Sequence, residues 1–335
     1  MKRLRVAVLT HPSLAPPESR EGYTEQEAHE WKTEFDVVST LRKLGHDVRV
    51  LPVDNELTPI RETVEQWKPD IFFNLLEEFL GRQEFDHHVV SFLELMQVPY
   101  TGCHTRGLIL ARDKALSKKL LAYHHLPVPK FAVFPRERRV VRPKALEFPL
   151  IVKSLVKESS IGISQASIVD NDDKLRDRVA FIHQRISSDA IAEQYIDGRE
   201  LYAGMIGNAR VNVLPVWELL FENLPPGAAR IATAHVKHNT DYQERRGIYQ
   251  QAAEDLSPAL RQQVINTTRR IARILDLDGY SRIDYRLTED GKLFFLEANP
   301  NPDVAASEEF ASAAEAAGWE YPDLIQRILK LGLKR

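Results

Sequence analysis

The sequence predicts an α/β fold that begins with a doubly wound parallel sheet. Apolar strand-like runs alternate with runs of helical periodicity in the first third of the chain, at residues 4–9, 35–44, 48–53, 60–67, 71–75 and 83–97. This alternation is typical of parallel strands covered by helices on both faces. No G-x-G-x-x-G sequence occurs there, which argues against a Rossmann dinucleotide site. At 335 residues the chain is too long for one simple core, so we expect two or three units.

The composition argues against several functional classes. A net charge of −3 gives no sign of a nucleic-acid or membrane-surface partner. The single cysteine, Cys103, excludes an internal disulfide and fits a reducing compartment. Basic residues precede an apolar run at the N-terminus, but that run of about six residues is too short for a signal peptide. No apolar stretch reaches the length of a transmembrane helix, so we expect a cytoplasmic protein.

A β-hairpin is predicted near the C-terminus. Two apolar runs flank an Asp-Gly pair at residues 290–291, which is typical of a two-residue type I′ turn. If these two residues form the loop, Glu289 pairs with Lys292. Counting back along both strands from that pair brings Asp284 directly opposite Glu297.

The predicted hairpin carries a polar face that could hold a metal ion. Side chains alternate between the faces of a strand, so Arg282, Asp284, Glu297 and Asn299 share one face. Opposed like charges destabilise an antiparallel pair, and a hard cation between the carboxylates would remove that cost. Mg²⁺ suits such oxygen ligands, with water and phosphate oxygens completing its shell. A solvated polar face, with Arg282 neutralising the acids, explains the same spacing, so both interpretations stay open.

Two segments in the middle of the chain have features of a phosphate-binding site. Lys153 ends an apolar run, where a charge is costly unless paired or solvated, and it is therefore a candidate phosphate ligand. The loop at 158–163 contains two serines and a glycine, and it predicts either a cover for phosphates or an ordinary turn. The stretch at 225–247 carries Lys237 and predicts either an active-site lid or a disordered surface loop.

Short motifs follow one another in a fixed order between about residues 70 and 305. They are Tyr100-Thr-Gly102, Asp113-Lys114 with Lys118, Pro149-Leu-Ile-Val-Lys153, Ser159-Ser-Ile-Gly162, residues 193–200, Leu214-Pro-Val216, Lys237, Arg282-Ile-Asp284 and Glu297-Ala-Asn299. In this order they resemble the ATP-grasp superfamily and, within it, the D-alanine–D-alanine ligases. The resemblance implies an N-terminal pre-ATP-grasp α/β domain at 1–105. It also implies a two-subdomain ATP-grasp fold of α+β structure, at 106–190 and 191–335, with the metal and catalytic hairpin in the second subdomain.

The resemblance also implies which residues bind ATP. Lys114 and Lys153 would contact the phosphates, and Glu200 would contact the ribose. A hinge would hydrogen-bond the adenine, and this hinge would consist of Glu193, Gln194, Tyr195 and Ile196. A mobile loop would close over the phosphates, formed by Ser159, Ser160 and Gly162.

The metal ligands and the reaction follow from the same resemblance. Two Mg²⁺ ions, or Mn²⁺ in their place, would be bound by Asp284, Glu297 and Asn299. Lys237 would reach the γ-phosphate from the lid, and Arg282 would steady the transferred phosphoryl group or the intermediate. The family chemistry is ADP-forming: ATP phosphorylates a carboxylate, and an amine attacks the resulting acyl phosphate.

The substrate positions depart from the family pattern. The Gly-Gly-x-Ser-x-Glu stretch that positions the first D-alanine is missing from the sequence. Glu77 and Glu78 replace the His-Gly of an Asn-x-x-His-Gly motif. His238 stands where a tyrosine usually follows the lid lysine, Asp303 replaces a glycine beside the oxyanion, and Glu158 replaces the first glycine of the phosphate loop.

These departures predict a ligase whose amino-acid or peptide substrates are not two D-alanines. Changed substrate contacts matter because a site that hydrogen-bonds one substrate strongly rejects its analogues. The extra acids, Glu77, Glu78 and Asp303, favour a cationic or amine-bearing substrate. Genuine D-alanine–D-alanine ligation with altered contacts is one alternative. A non-catalytic ATP-binding regulatory protein is another, and the retained Arg282 argues against it. The family further implies a homodimer formed through the N-terminal unit.

Overall fold

The computed structural model describes residues 2–157, 160–233, 236 and 239–335. Its strands form three sheets, with three strands in the first, four in the second and six in the third. In this described part of the chain, no helix is both long and apolar enough to cross a membrane.

The first sheet is parallel, as predicted. Its strands are β1 (Arg5–Thr10), β2 (Asp47–Pro52) and β3 (Ile71–Asn74), in the order β2-β1-β3. The helices around it are α1 (Glu25–Glu30), α2 (Lys32–Lys43), α3 (Thr58–Glu62), which continues into a π turn (Thr63–Trp67), and α4 (Asp86–Leu95). Two 3₁₀ turns lie in the same part of the chain, at Pro12–Leu14 and Gln83–Phe85.

Both faces of this sheet are buried, which confirms the predicted α/β class with helices on the two sides. On one face, Val6, Val8 and Phe73 share a core with the apolar side of α2. On the other face, Leu9 and Phe72 pack with apolar residues of α3 and α4. Parallel strands covered in this way read as continuous apolar runs, as the sequence of β1 does.

The second sheet is antiparallel and follows the helix pair α5 (Thr105–Arg112) and α6 (Lys114–Tyr123). Its strands have the order β4-β7-β5-β6, namely β4 (Phe131–Phe134), β5 (Leu150–Ser154), β6 (Ile168–Val169) and β7 (Ala190–Gln194). A 3₁₀ turn (Gln165–Ser167) precedes β6, and α7 (Asp172–Phe181) continues into a π turn (Ile182–Ile186). Apolar residues of α7 and the sheet form a core of their own.

The third sheet carries the predicted hairpin. Its strands are β8 (Arg199–Ile206), β9 (Asn212–Val213), β10 (Trp217–Phe221), β11 (Ile248–Ala252), β12 (Tyr280–Leu287) and β13 (Leu293–Pro300). Their order is β11-β10-β8-β12-β13, with β9 paired to β8. The remaining helices are α8 (Thr240–Arg246), α9 (Pro258–Ile274), α10 (Glu309–Ala316) and α11 (Tyr321–Gly332).

Two faces of very different polarity distinguish the third sheet. Alternate residues of β8 and β12, such as Leu201, Ile283 and Tyr285, are fully buried in a core shared with α9. The residues between them are polar, and the register places Tyr202 opposite Asp284. The period of two residues thus gives the sheet one apolar face and one face lined with charged groups.

Three local expectations were wrong or incomplete. The hairpin loop is not a two-residue turn, because Thr288 N–H bonds Lys292 O at 3.0 Å and Gly291 N–H bonds Thr288 O at 2.9 Å. Only Gly291 has a positive φ, whereas a type I′ turn needs two such residues. Helix α1, capped by Thr24, lies in a stretch for which no helix was predicted. Helix α8 lies within the expected irregular region at 225–247.

Candidate active site

A β-bulge corrects the hairpin register before the strands reach the polar face. The pairing of β12 and β13 shifts by one residue between Tyr285, opposite Phe295, and Asp284, opposite Glu297. Leu296 is therefore the extra residue of the bulge. The three-residue loop shifts the pairing by one residue, and the bulge shifts it back. The predicted pairing of Asp284 with Glu297 is therefore confirmed, although the predicted pairing at the turn was wrong.

A cleft lies between the second and third sheets. Most of the residues predicted to bind nucleotide or metal line it, namely Lys153, Ser160, Glu193, Gln194, Tyr195, Ile196, Glu200, Asp284 and Glu297. Six further residues line it that were not predicted to bind nucleotide or metal, namely Ile151, Ile163, Ile231, Ala232, Arg286 and Leu296. The cleft thus has an apolar part and a charged part, an arrangement that suits a ligand with a planar ring and a polyanion.

Arg282 and Asn299 stand on the same face beside the cleft and contact Asp284. Arg282 Nε lies 2.7 Å from Asp284 Oδ1, and its Nη2 lies 3.0 Å from Oδ2. Asn299 Nδ2 donates to Asp284 Oδ2 at 3.0 Å. The predicted arginine-to-acid contact therefore exists, and Arg282 also reaches Glu309 at 2.7 Å. Burial lowers the pKa of Arg282, but the two carboxylates outweigh it and raise that pKa well above its usual range.

The side chains on this face fit a divalent metal ion. Asp284, Glu297 and Asn299 present two carboxylates and an amide from neighbouring strands in one register. Hard oxygen donors of this kind are the ligands that Mg²⁺ and Mn²⁺ prefer. Glu297 lines the cleft, where phosphate oxygens and water could complete the coordination of an ion.

A buried glutamate between two lysines forms the floor of the cleft. Glu193 Oε1 lies 3.0 Å from Lys118 Nζ, and Glu193 Oε2 lies 3.2 Å from Lys153 Nζ. Burial raises the pKa of Glu193, but the two lysines outweigh it and hold that pKa below its usual value. Lys153 keeps a raised pKa because Glu193 and Glu297 outweigh its burial. The charge of Lys153 is therefore maintained at the cleft by a partner beneath it.

Lys114 approaches the polar face of the third sheet from the start of α6. Asp113 caps this helix and accepts from the backbone N–H groups of Ala115 and Leu116, which fixes the first turn. Lys114 Nζ donates to Lys157 O at 2.8 Å and lies 3.7 Å from Glu297. Its ammonium group is thus held next to one of the two opposed carboxylates.

Glu200 is bound on two sides by residues of its own sheet. Arg286 Nη2 donates to one carboxylate oxygen at 2.8 Å, and the hydroxyl of Tyr202 donates to the other at 3.0 Å. Arg286 also donates to the backbone oxygens of Gly198 and Arg230. The signal for Arg286 was present in the sequence, because it continues the alternation of Arg282 and Asp284 by two residues.

The predicted phosphate loop faces the segment that was expected to be a lid. Ser160 Oγ donates to Ala232 O at 2.6 Å, and Gly162 accepts at its carbonyl from Arg178. Ile231 and Ala232 of this segment themselves line the cleft. The predictions for Glu158, Ser159, Lys237 and His238 concern residues that lie outside the described part of the chain.

Beyond the hairpin, an acidic region adjoins the first sheet. Glu34 on α2 is only 4% exposed. Burial raises the pKa of its carboxyl to about 8, and the negative charges of Glu77 and Asp303 add to that rise. Asp303 accepts a hydrogen bond from the hydroxyl of Thr33 at 2.7 Å, which joins α2 to the loop after the hairpin. Glu34 was missed because a glutamate within a helical pattern normally faces solvent.

The same fold occurs in solved ligases. A crystal structure of D-alanine–D-alanine ligase from Bacillus anthracis complexed with ATP superimposes with a TM-score of 0.75 and 20% identity, covering 99% of this chain and 98% of that chain. This similarity shows that the chain has the fold of that ligase.

Sequence comparisons agree. Residues 120–330 match the family model described as the D-ala D-ala ligase C-terminus. An uncharacterized protein of Sinorhizobium fredii, y4sG, is 32% identical over 89% of this chain and 87% of its own length. The D-alanine–D-alanine ligase of Aquifex aeolicus is 28% identical over 89% of this chain and 94% of its own. The chain belongs to the D-alanine–D-alanine ligase family and is an ATP-dependent ligase.

Proposed function

We propose that this protein joins a carboxylate to an amine with conversion of ATP to ADP and inorganic phosphate, through an acyl-phosphate intermediate. One observation carries the proposal: Lys153, Asp284 and Glu297 line one cleft although they come from two different sheets. The cation suits a phosphate, and the carboxylates suit the metal that accompanies it.

The nucleotide would lie along the cleft. We assign the phosphates to Lys114 and Lys153, under the loop that holds Ser159, Ser160 and Gly162. We assign the adenine to the end of β7 and the start of the linker that follows it, namely Glu193, Gln194, Tyr195 and Ile196, and the ribose to Glu200. The linker is also the natural hinge between units at 106–190 and 191–335, with 1–105 as a separate N-terminal domain. A homodimer through that domain is part of the same proposal.

Two divalent ions, Mg²⁺ or Mn²⁺, would be held by Asp284, Glu297 and Asn299. When bound, they would neutralise charge on the oxygens of the transferring phosphoryl group. Arg282 is fixed by Asp284 and Glu309 at the edge of this face, where its remaining hydrogen-bonding capacity can steady the phosphoryl group or the tetrahedral intermediate. Lys237 would reach the γ-phosphate from the lid segment.

The proposed reaction has two steps. The substrate carboxylate attacks the terminal phosphorus of ATP, the bond to ADP breaks, and an acyl phosphate forms. The amine attacks the acyl carbon, and the tetrahedral intermediate collapses to an amide and inorganic phosphate with loss of a proton. Closure of the loops over the cleft would keep water away from the acyl phosphate.

The substrates are proposed to differ from two D-alanines and to include a cationic or amine-bearing group. The acidic region supports this, because Glu34 is buried near the charges of Glu77 and Asp303. An ammonium group would interact favourably with the carboxylates of Glu77 and Asp303. Glu78 lies nearby on the same loop as Glu77, 3.6 Å from His11.

A coupled assay of ADP release over a panel of amino acids and dipeptides tests the proposal. We expect release to depend on an amino acid or peptide, with the highest kcat/KM for a substrate that carries an extra amine. Stimulation by D-alanine alone, at the highest kcat/KM of the panel, would instead assign the activity of the Aquifex aeolicus relative. ATP binding without substrate-dependent ADP release would refute the ligase proposal.

A further inference from the structure

A fully buried lysine lies beneath the cleft, and neither the reaction nor the nucleotide accounts for it. Lys118 is 0% exposed and sits on α6, one turn after Lys114. Its Nζ donates to the backbone oxygen of Leu296 and lies 3.0 Å from Glu193 Oε1. Burying an ammonium group is costly unless every contact is well placed. Lys118 is not among the residues that line the cleft.

The carbonyl that Lys118 binds belongs to the bulge. Leu296 is the extra residue between Phe295 and Glu297, which face consecutive residues of β12. Neighbouring side chains of a regular strand point to opposite faces. Leu296 and Glu297 nevertheless both line the cleft. The bulge is therefore what turns the carboxylate of Glu297 towards the site, in keeping with the use of bulges to re-aim a side chain.

Helix α6 holds this bulge with two lysines of different function. Residues four apart lie on one side of a helix, so Lys114 and Lys118 reach the same part of β13. Lys114 is 3.7 Å from the carboxylate of Glu297, whereas Lys118 binds the backbone one residue earlier. Through Glu193, Lys118 is also connected to Lys153, whose Nζ lies 3.2 Å from the same carboxylate.

We propose that Lys118 is a positioning residue that sets the affinity of the site for its divalent cation by fixing the bulge at Leu296 and with it the direction of Glu297. It touches neither the ion nor ATP. The inference rests on the proposed function in one respect, namely that Glu297 is a metal ligand. Residues that orient metal ligands typically change metal affinity by about 10- to 100-fold when they are replaced.

The test is the Mg²⁺ dependence of ATP binding, measured by isothermal titration calorimetry at a series of Mg²⁺ concentrations. Lys118→Met keeps the length of the side chain and removes its charge and donors. We expect this variant to need at least about 10-fold more Mg²⁺ than the wild type for half-maximal ATP affinity. Lys119→Met is the matched control, because Lys119 is the exposed neighbour on the same helix, and it should keep the wild-type requirement.

A purely structural role predicts a different result. Lys118→Met would then lower the melting temperature or the fraction of active protein while leaving the Mg²⁺ requirement unchanged, and that outcome overturns the inference. The wild type must itself bind ATP in the presence of Mg²⁺. A wild type that fails to bind ATP refutes the proposed function, whereas a normal wild type with an unchanged variant refutes only the role of Lys118.

A second variant keeps the inference testable if Lys118→Met does not fold. Removing Lys118 leaves Glu193 buried with one lysine fewer, which destabilises the fold by itself. The double variant Lys118→Met/Glu193→Gln removes that excess charge. We expect it to fold and to retain the raised Mg²⁺ requirement. A double variant with the wild-type requirement would show that Lys118 acts only by neutralising Glu193, and it would overturn the proposed role at the bulge.

Discussion

Replacing Glu34 with glutamine should make the protein less sensitive to rising pH. The pKa of Glu34 is raised from 4.5 to about 8, first by burial and then by the charges of Glu77 and Asp303. The folded chain therefore binds more protons than the unfolded chain between those two values. Stability of the wild type consequently falls as the pH rises through this window. Glutamine has a similar shape and does not titrate.

The size of the effect follows from the shift. At pH 7 the carboxyl of Glu34 is ionised in the unfolded chain and protonated in the folded chain. Because pH 7 lies about 2.5 units above the unfolded pKa, ionisation favours the unfolded chain by about 3 kcal/mol. An unfolding entropy of about 2.1 cal/mol/K per residue converts this to about 4 °C in melting temperature for 335 residues. The melting temperature of Glu34→Gln relative to that of the wild type should therefore rise by about 4 °C between about pH 4.5 and pH 7.

The measurement is thermal unfolding followed by circular dichroism at several pH values for both proteins. The quantity of interest is the difference in melting temperature between variant and wild type at each pH, because the contributions of all other titrating groups are common to both proteins and cancel. Glu30→Gln, an exposed glutamate at the end of the preceding helix, is the control and should give a constant difference. A constant difference for Glu34→Gln as well would refute the assignment of Glu34 as a carboxyl that is neutral in the fold.

Three other predictions concern the cleft and its edges. Lys153→Ala or Glu297→Ala should reduce kcat by about 1,000-fold or more with the fold retained, because each removes a charge that we propose faces the transferring phosphoryl group. Lys153→Ala should also lower the melting temperature, because it leaves the buried Glu193 with one lysine fewer. Normal turnover in either variant would remove that residue from the site. Gly198→Ala should cost about 3 kcal/mol, because a Cβ would lie 2.2 Å from Leu287 O at a φ of 143°. Gly227→Ala, which has φ of 79° and open space around its Cβ, is the control in thermal unfolding, and equal losses would contradict the steric explanation. Asp303→Gly should lower the kcat/KM preference for an amine-bearing substrate over a neutral one by about 10-fold, the effect of about 1.4 kcal/mol of lost charge interaction; an unchanged preference would exclude Asp303 from substrate selection.

The predicted hairpin illustrates how local and tertiary information combine. Alternation of apolar and polar residues was enough to place Asp284 and Glu297 on one face, because a strand repeats every two residues. The turn was assigned incorrectly, since a three-residue loop ending at Gly291 uses the same Asp-Gly pair. The bulge at Leu296 could not be predicted, because its carbonyl is satisfied by Lys118, which lies 178 residues away in the chain.

Buried charges were the least predictable part of the site. The sequence marks Lys118 only as a motif residue and does not mark Glu34 at all, because each occupies an ordinary place in a helical pattern. Their burial arises where helices from distant parts of the sequence pack on the sheets. A lysine or glutamate is expected at the surface unless a partner is present. Such partners come from long-range packing.

Sequence periodicity and the order of short motifs were sufficient for the α/β class, the ATP-grasp family and the polar face that contains Asp284. These depend on the spacing of residues along the chain, which determines the face of a strand or helix on which each side chain lies. Packing alone decided how the second and third sheets enclose a cleft, which carboxylate lies between Lys118 and Lys153, and how the bulge directs Glu297. Each of these depends on groups far apart in the chain. The interactions between those groups become strong only when folding buries them away from water.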